Sequence, residues 1–478
     1  MKNIKADVVI IGAGTAGLNA FRSTLEHTDN VVLIEGGAYG TMCARVGCMP
    51  SKLLIAAADS AHSVREAHNF GVYTRLDTEI NGSEVMKRVR SERDRFVGFV
   101  LDSVDNIDPK QKIRGYARFK DDNTIQVDDH SVIKCRSVVI ATGSVPHVPE
   151  SLVGLGDSVV VNDDVFEWQD LPKSVAVFGT GVIGLEIGQA LSRLGVDTTL
   201  FGRSGIIGHL RDPDIQRYAL KIFSDELDIH LESDISQIEK EGDEVKITYR
   251  DNHGNKLDRK VDYILAATGR VPNVEELGLH NTSIKLDNEG IPYFDRYTLQ
   301  CGRSSIFIAG DVDNDLPLLH QAADEGKIAG ENAARYPDVK AGCRSVPLSI
   351  IFSDPEIAMV GNCFDELPEG SYVIGEVSFE NQGRSRVMLK NKGLMHLYAE
   401  YGSGLFMGAE IVGPRAEHMG HLLSWAFQKK MTVPEMLTMP FYHPVIEEGI
   451  RTALRDALNK LKMGPPLDLS NIECGPGV

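Results

Sequence analysis

Cys43 and Cys48 stand five residues apart in the segment Cys43-Ala44-Arg45-Val46-Gly47-Cys48-Met49-Pro50-Ser51-Lys52. The other cysteines, Cys135, Cys301, Cys343, Cys363 and Cys474, are scattered singly, so this pair is the cysteine signal to explain. The chain turns helical after it, with Leu53 to Ala58, and two cysteines at this spacing can meet across a distorted first helical turn. A helix N-terminus lowers the pKa of a thiol and favours the thiolate, the reactive form in thiol–disulfide exchange. A zinc site would need about four ligands, and no second Cys/His pair has suitable spacing. Two buried structural thiols are the plainer alternative, weakened by the nucleotide motif just upstream.

That motif occurs twice. Gly12-Ala13-Gly14-Thr15-Ala16-Gly17 follows the apolar run 6–11, and Gly179-Thr180-Gly181-Val182-Ile183-Gly184 follows the run 174–178. A lone GxGxxG says little; between a strand and a helix it describes a dinucleotide site. Gly12 and Gly179 would make the tight turns, Gly14 and Gly181 would let a pyrophosphate approach the backbone, and Gly17 and Gly184 would let helix and strand pack closely. The phosphates would rest on the helix N-termini. The first copy has an acid, Glu35, at the tip of VVLIE, placed to accept hydrogen bonds from ribose hydroxyls. The alternative is plain turn glycines and a solvated glutamate. In the second copy the equivalent position is Gly202, followed by Arg203. A guanidinium in place of a carboxylate favours a 2′-phosphate, hence NADP(H) over NAD(H). His209 is a further candidate for that phosphate; the alternative for Arg203 is an ordinary solvated arginine.

His443 precedes the last helix, with Glu448 five residues on. The carboxylate could fix the imidazole tautomer, and the imidazole could shuttle a thiol proton. A histidine there also reads as a cap or a packed side chain.

The elements that must position these groups are short Val/Ile-rich runs without alternation, as in parallel strands covered on both faces. SVVIATGS (137–144) closes at Thr142-Gly143, YILAATGR (263–270) at Thr268-Gly269 and SSIFIAGD (304–311) at Asp311. Their order places a second dinucleotide-binding domain, 147–275, inside a first, 1–146 and 276–343. From 344 to 478 the pattern changes: SYVIGEVSF, GLMHLYAEY and LFMGAEIVG read as antiparallel strands, and 416–430 and 446–462 as helices. Ile446, Ile450, Leu454, Leu458 and Leu461 recur at helical spacing. The Pro/Gly-rich tail after Met463 is expected to be extended. The fold class is α/β, with two Rossmann-like domains and a C-terminal α+β domain.

Net charge is −18, with no Lys/Arg-rich run, which argues against nucleic acid or an anionic membrane as partner. No stretch approaches ~18 uninterrupted apolar residues, so no transmembrane helix is expected. The apolar run at the N-terminus is too short for a signal-peptide core, and the scattered cysteines do not form a secreted framework. The expectation is a cytoplasmic chain.

Taken in order, GAGTAG…E, TMCARVGCMPSK, ATGS, GTGVIGLEIG, ATGRVPN, IFIAGD, SDPEIAMVG and HPVIEE run nearly the whole length. In these the chain resembles the class I pyridine nucleotide–disulfide oxidoreductases, the dihydrolipoamide dehydrogenases most closely. The resemblance implies FAD in the first domain, NAD(H) or NADP(H) in the second, and a homodimer formed through the third. It implies electron transfer between the nicotinamide and a lipoamide-type dithiol or disulfide, with no metal. Cys48 would lie nearest the flavin as a charge-transfer thiolate, and Cys43 would exchange with substrate. Lys52 would sit by the reactive edge of the flavin, paired with Glu186. Asp311 would hold the ribityl chain. Gly12, Gly14, Gly17, Glu35, Ala117, Thr142, Gly143, Leu319 and His320 would complete the FAD site, although His320 also reads as a core histidine. Gly269 would join Gly179, Gly181, Gly184, Arg203 and His209 around the nicotinamide dinucleotide. His443, oriented by Glu448, would act on the cysteines of the other subunit.

Four departures stand out: Met42 in the usual GGTC, Arg45 for the usual Asn, HPVIEE for HPT-x-x-E, and Gly202-Arg203 for the acid of an NAD-preferring enzyme. Mercuric reductases and the large thioredoxin reductases carry a vicinal cysteine pair near the C-terminus, where Cys474 stands alone. A glutathione-type reductase remains the runner-up, because Arg203 suits NADPH and Arg22 could meet a substrate carboxylate. A non-catalytic flavin redox sensor is a reading of a different class; it would need none of Cys43, Cys48, Lys52, Glu186 and His443, and turnover with a disulfide separates the two.

Overall fold

The computed structural model describes residues 1–73, 79–232, 234–251 and 254–461; the tail after Met463 lies outside the described residues. The chain divides into two compact units, one of Met1–Gly208 with Glu226–Ser345, the other of His209–Asp225 with the chain from Val346.

In the first unit, Val8–Ile11 is the central strand of a five-stranded parallel sheet ordered Ile306–Ile308, Ser137–Ile140, Val8–Ile11, Val31–Glu35, Lys112–Arg114. Its four residues are all apolar because both faces are covered. Val8 and Ile10 pack with residues of the helices Thr15–Leu25 and Leu319–Arg335, while Val9 and Ile11 pack against a smaller sheet through Phe119, Ile125 and Ile133. That smaller sheet begins at the N-terminus, where Lys2–Lys5 runs parallel to Ser131–Lys134, a pairing the sequence pattern did not reveal.

A second parallel sheet in the same unit is ordered Val159–Val160, Tyr263–Ala266, Ser174–Phe178, Asp197–Phe201, Asp228–His230. Ala176, Phe201 and Ile264 share a core with Val245, Ile247 and Val261 of an antiparallel three-stranded sheet. Two short antiparallel strands, Ser144–Pro146 and Arg270–Pro272, connect the two Rossmann-like layers directly after their ATG turns.

The second unit holds a five-stranded antiparallel sheet in which the three expected strands appear as Tyr372–Ser378, Leu394–Glu400 and Phe406–Gly413. The expected helices are Ala416–Gln428 and Glu448–Lys460, the latter starting two residues later than its apolar pattern suggested. Ile446, Ile450, Leu454 and Leu461 are buried in the core beneath the sheet, with Leu458 packed at its edge.

Residues 209–225, expected within the nucleotide domain 147–275, group instead with this unit. Asp212 caps the helix Pro213–Ser224, accepting from the Asp214 and Ile215 amides. Its other carboxylate oxygen meets His396 Nδ1 at 2.7 Å and accepts from the Tyr398 hydroxyl at 3.1 Å. Glu410 accepts from the Arg211 and Asp212 amides at 2.7 and 3.0 Å. Among the described residues, no helix is long and apolar enough to cross a membrane.

Candidate active site

The cysteines sit on two helices. Cys43 lies in the four-residue helix Met42–Arg45, capped by Thr41 Oγ1, which accepts from the Ala44 amide. Cys48 is the first residue of the long helix Cys48–Glu66, which therefore starts five residues before the expected Leu53. Cys43 is half-buried and Cys48 exposed, and both are thiols. The side chains are hydrogen-bonded to each other. That bond has opposite effects on the two groups: the proton Cys43 donates stabilises a Cys48 thiolate, whose pKa falls to about 7, while Cys43 is pushed up by the same bond and by burial. Partial burial opposes the fall at Cys48, and the Lys52 ammonium one turn along the helix assists it. The pair is thus split into a ready thiolate and a protonated partner, which titrate as one system.

Lys52 Nζ lies 2.9 and 2.8 Å from the two carboxylate oxygens of Glu186. Glu186 is buried in the helix Val182–Arg193 that opens the second glycine motif. This ion pair links the cysteine helix to the second nucleotide layer.

The two glycine turns repeat each other in their hydrogen bonds and backbone angles. The Gly12 amide donates to Ile34 O at 2.8 Å, and the Gly179 amide to Phe201 O at 2.8 Å. Counting one residue on, Glu35 and Gly202 occupy equivalent places, as the sequence alignment of the two motifs predicts. Gly12 and Gly179 have φ of +106° and +120°, and a Cβ on either would lie 2.3 or 2.1 Å from the carbonyl of Ala141 or Ala267. A Cβ on Gly17 or Gly184 would lie 1.9 Å from the carbonyl of Gly12 or Gly179. Gly14 differs: it is the N-cap of Thr15–Leu25, no side chain caps the helix, and nothing lies within 4 Å of where its Cβ would be. Open space over bare helical amides suits a pyrophosphate. Gly181 begins the second helix with nearly the same backbone angles. Glu35 accepts from the Ala13 and Gly37 amides, each at 2.7 Å, bracing the turn while keeping lone pairs for a ribose. These residues fit FAD in the first layer.

Asp311 follows Ile306–Ile308 and accepts from Ser144 Oγ at 2.9 Å. Its turn is held by the Gly310 amide, which donates to the fully buried Glu325 at 2.7 Å; Glu325 in turn pairs with Arg344 at 2.6 Å. Arg270 donates to Ser144 Oγ and O, both at 2.9 Å. Ser144 and Arg270 were not assigned from the sequence, yet each directly follows an ATG turn, a repeat that could have singled them out. Thr142 Oγ1 donates to Asn273 O, and the Gly143 carbonyl accepts from the Asn273 amide; Gly269 O accepts from the His147 amide. Ala117 is buried at the start of the strand Ala117–Asp121, and Leu319 and His320 open the helix Leu319–Arg335, Leu319 half exposed.

Arg203 is exposed just past Asp197–Phe201 in the first unit, whereas His209 begins the segment grouped with the second. A side chain at Gly202 would meet the Leu231 and Thr180 side chains at 2.9 and 3.0 Å, so these would have to shift to admit one.

In the second unit, His443 Nδ1 lies 3.1 and 3.2 Å from the Glu448 carboxylate oxygens. A carboxylate only accepts, so Nδ1 carries a proton and Nε2 is the nitrogen left for another partner. His443 is 81% exposed, far from a packed core histidine. Its hydrogen bond holds Glu448 below the usual carboxylate range. No group of three or more His, Cys, Asp and Glu residues among the described ones could hold a metal.

Residues 6–326 match the pyridine nucleotide-disulphide oxidoreductase family, and residues 347–454 match its dimerisation domain. The dihydrolipoyl dehydrogenase of Haloferax volcanii is 28% identical over 466 residues, 95% of this chain and 96% of that protein. That of Geobacillus stearothermophilus is 29% identical over 466 residues, 95% of this chain and 97% of its own. The solved structure of LpdA from Mycobacterium tuberculosis shares the fold, with a TM-score of 0.81 over 94% of this chain and 99% of that one, at 23% identity. The chain belongs to the pyridine nucleotide-disulphide oxidoreductase family: it is a flavin-dependent oxidoreductase that uses FAD and a nicotinamide dinucleotide and dimerises through its C-terminal domain.

Proposed function

We propose that the enzyme exchanges electrons between a nicotinamide dinucleotide and a lipoyl-type dithiol, with Cys43 and Cys48 as the redox pair. The observation that carries this reading is the pair of thiols on adjoining helices, Cys48 at a helix N-terminus with the Lys52 ammonium one turn along, which together favour a Cys48 thiolate. The likeness to dihydrolipoyl dehydrogenases along nearly the whole chain supports the lipoyl substrate. In domain terms, residues 1–146 and 276–343 would bind FAD, 147–275 the nicotinamide dinucleotide, and 344–478 would form the dimer interface.

Bound FAD supplies the two-electron exchange with the nicotinamide. Gly12, Gly14, Gly17, Glu35, Ala117, Thr142, Gly143, Asp311, Leu319 and His320 would hold it, and Lys52 with Glu186 would frame its edge. The rest is thiol chemistry. His443 Nε2 accepts the proton of one substrate thiol, and the resulting thiolate attacks Cys43 of the Cys43–Cys48 disulfide. The bond between the enzyme sulfurs breaks, Cys48 leaves as a thiolate, and a mixed disulfide forms on Cys43. The second substrate sulfur closes the substrate disulfide and expels Cys43, which takes up a proton. Glu448 holds the imidazole through Nδ1 both before and after Nε2 takes up the proton. Each His443 serves the cysteines of the partner subunit in this reading.

Arg203, following a glycine where an NAD-preferring enzyme would carry an acid, supports NADP(H) over NAD(H), with Gly179, Gly181, Gly184 and Gly269 completing the site. The same residue supports the second reading, an NADPH-dependent reductase of glutathione or another small disulfide. Six described cysteines, all unbridged, support a reducing, cytoplasmic compartment.

One kinetic matrix tests these points: dihydrolipoamide, lipoamide and glutathione disulfide against NAD(H) and NADP(H). Higher kcat/KM with the lipoyl pair and with NADP(H) is expected. Preference for glutathione disulfide would select the second reading, and strong preference for NAD(H) would remove Arg203 from the nucleotide site.

A further inference from the structure

The two helices that carry the cysteines meet at Val46 and Gly47. The Val46 amide closes the first helix by donating to Met42 O at 2.9 Å, and the Gly47 carbonyl starts the second by accepting from Ser51 at 3.2 Å. Gly47 has the irregular angles φ −125° and ψ −112°. A Cβ there would crowd Met42 O at 3.3 Å and Cys43 Cα at 3.4 Å, so the pivot is tightly folded.

The buried Val46 carbonyl is left over by this arrangement, since the second helix starts only after it. It is taken up from far along the chain. Asn162 Nδ2, 116 residues away, donates to Val46 O at 2.7 Å and to Asp163 Oδ1 at 3.0 Å. Asn162 is 5% exposed, on the helix Asn162–Val165. Burial raises the Asp163 carboxyl above the usual carboxylate range, with the charges of Arg270 and Arg45 opposing the rise. Arg270 is the residue that grips Ser144, and Ser144 donates to Asp311. The backbone between the two sulfurs is thus held by a single side-chain amide, which is itself braced by Asp163.

We propose that Asn162 is a positioning residue for the dithiol–disulfide couple of Cys43 and Cys48, acting through the Val46 carbonyl that it holds at the pivot between their helices. This rests on the reading of those cysteines as the redox pair. With the pivot fixed, the two sulfurs are held within reach of each other in the reduced state, and closing the disulfide costs little further ordering. With the amide removed, the buried carbonyl loses its donor, the pivot loosens, and the effective concentration of one thiol at the other falls.

The test is the equilibrium of the holoenzyme with glutathione buffers, in which the Cys43–Cys48 disulfide and two glutathiones exchange with the enzyme dithiol and glutathione disulfide. Quenching with an alkylating agent and weighing the Cys43–Cys48 peptide gives the constant without recourse to turnover. Asn162→Ala should lower the constant for forming the enzyme disulfide about five-fold, because ordering worth about one hydrogen bond, which the amide supplies already in the dithiol, must then be supplied on closing the disulfide. Asn162→Asp keeps the shape but sets a carboxylate against the carbonyl, and should lower it at least as far. If Asn162→Ala does not retain FAD, Asn162→Ser carries the same test, with the same direction of shift. A constant within 1.5-fold of the parent in the variants that retain FAD overturns the proposal. A parent with no glutathione-dependent Cys43–Cys48 couple at all would instead overturn the proposed function.

Discussion

Lys52→Met is the substitution whose effect on the thiols can be worked out most closely. The Lys52 ammonium is one of the groups that draw the Cys48 pKa down to about 7, after the hydrogen bond from Cys43. An opposite charge within about 4–6 Å shifts a pKa by roughly 1–3 units. Lys52 is 33% exposed and shares its charge with the Glu186 carboxylate, so the low end of that range, about one unit, applies. Moving a midpoint from about 7 to about 8 cuts the thiolate fraction at pH 7 from about one half to about one tenth. Alkylation of Cys48 in the reduced protein should therefore slow about five-fold at pH 7 and converge with the parent above pH 9 or so. The ion-pair partner supplies an internal control. Glu186 pushes the Cys48 pKa up. Lys52→Met/Glu186→Gln removes both charges and should return the midpoint most of the way to the parent value, while Lys52→Arg should leave it near 7. Rates of iodoacetamide modification, read peptide by peptide across pH, give all four midpoints. A Lys52→Met midpoint within about 0.3 unit of the parent would show that the ammonium does not tune this thiol and would leave the contact with Cys43 as the cause of the split.

Cys43→Ser should abolish turnover of disulfide substrates while FAD is still reduced by the nicotinamide; turnover above a few per cent of the parent would mean that Cys43 is not the exchange thiol. The two glycines of the first motif should fail in different ways. Gly12→Ala drives a methyl to 2.3 Å from Ala141 O at φ +106° and should destabilise the fold by about 3 kcal/mol or more, seen as a large drop in Tm. Gly14→Ala has no protein atom within 4 Å, so apoprotein Tm should be unchanged while FAD is bound at least about ten-fold more weakly; unaltered FAD affinity would exclude the phosphate from that space. The buried His396 gives the C-terminal unit a pH signature. Burial alone would depress its pKa, but Asp212 at 2.7 Å and Glu376 at 3.1 Å more than offset this and raise it. Asp212, despite its own burial, is lowered by the same contact. A raised histidine stabilises fully below about pH 6.5 and loses that contribution as pH climbs through its folded pKa, while a lowered aspartate stabilises above about pH 4 and loses it as pH falls. The penalty of His396→Gln, measured by denaturant unfolding, should be greatest at about pH 5–6 and smaller at pH 9. A penalty that is flat across that range would show that the ion pair adds nothing.

What could be read from the sequence was what chemistry writes locally. Strand, glycine turn and helix occupy about a dozen consecutive residues, so both Rossmann-like turns and the equivalence of Glu35 with Gly202 were visible, and the register of Gly12 on Ile34 and of Gly179 on Phe201 repeats it in three dimensions. His443 and Glu448 were legible for the same reason, since five residues suffice to bring them together. The start of the cysteine helix was missed because Cys48-Met49-Pro50 does not look helical. Proline is tolerated in a first turn, where its missing amide has no helical partner to lose, and this is what lets the helix begin at Cys48 and place its N-terminus on that sulfur.

Other features depend on partners that no window of sequence contains. Asp212-Pro213 announces a helix start, and that helix is present. Nothing near it says that Asp212 will be held by His396 and Tyr398, 184 and 186 residues further on, so the segment reads as part of the nucleotide domain that surrounds it. Lys2–Lys5 offers one apolar residue in four and becomes a strand only because Ser131–Lys134 is there to pair with it. Asn162 belongs to the same class. Seen locally, Asn162-Asp163-Asp164 is a polar opening to a one-turn helix. Its use is set by a carbonyl stranded between two helices that each need a cysteine at a particular point, a demand that arises only once the pivot at Val46 and Gly47 has folded. A motif can therefore name the sulfurs, but Asn162, the residue proposed to set how readily they open and close, lies 116 residues from the carbonyl it holds and outside any motif.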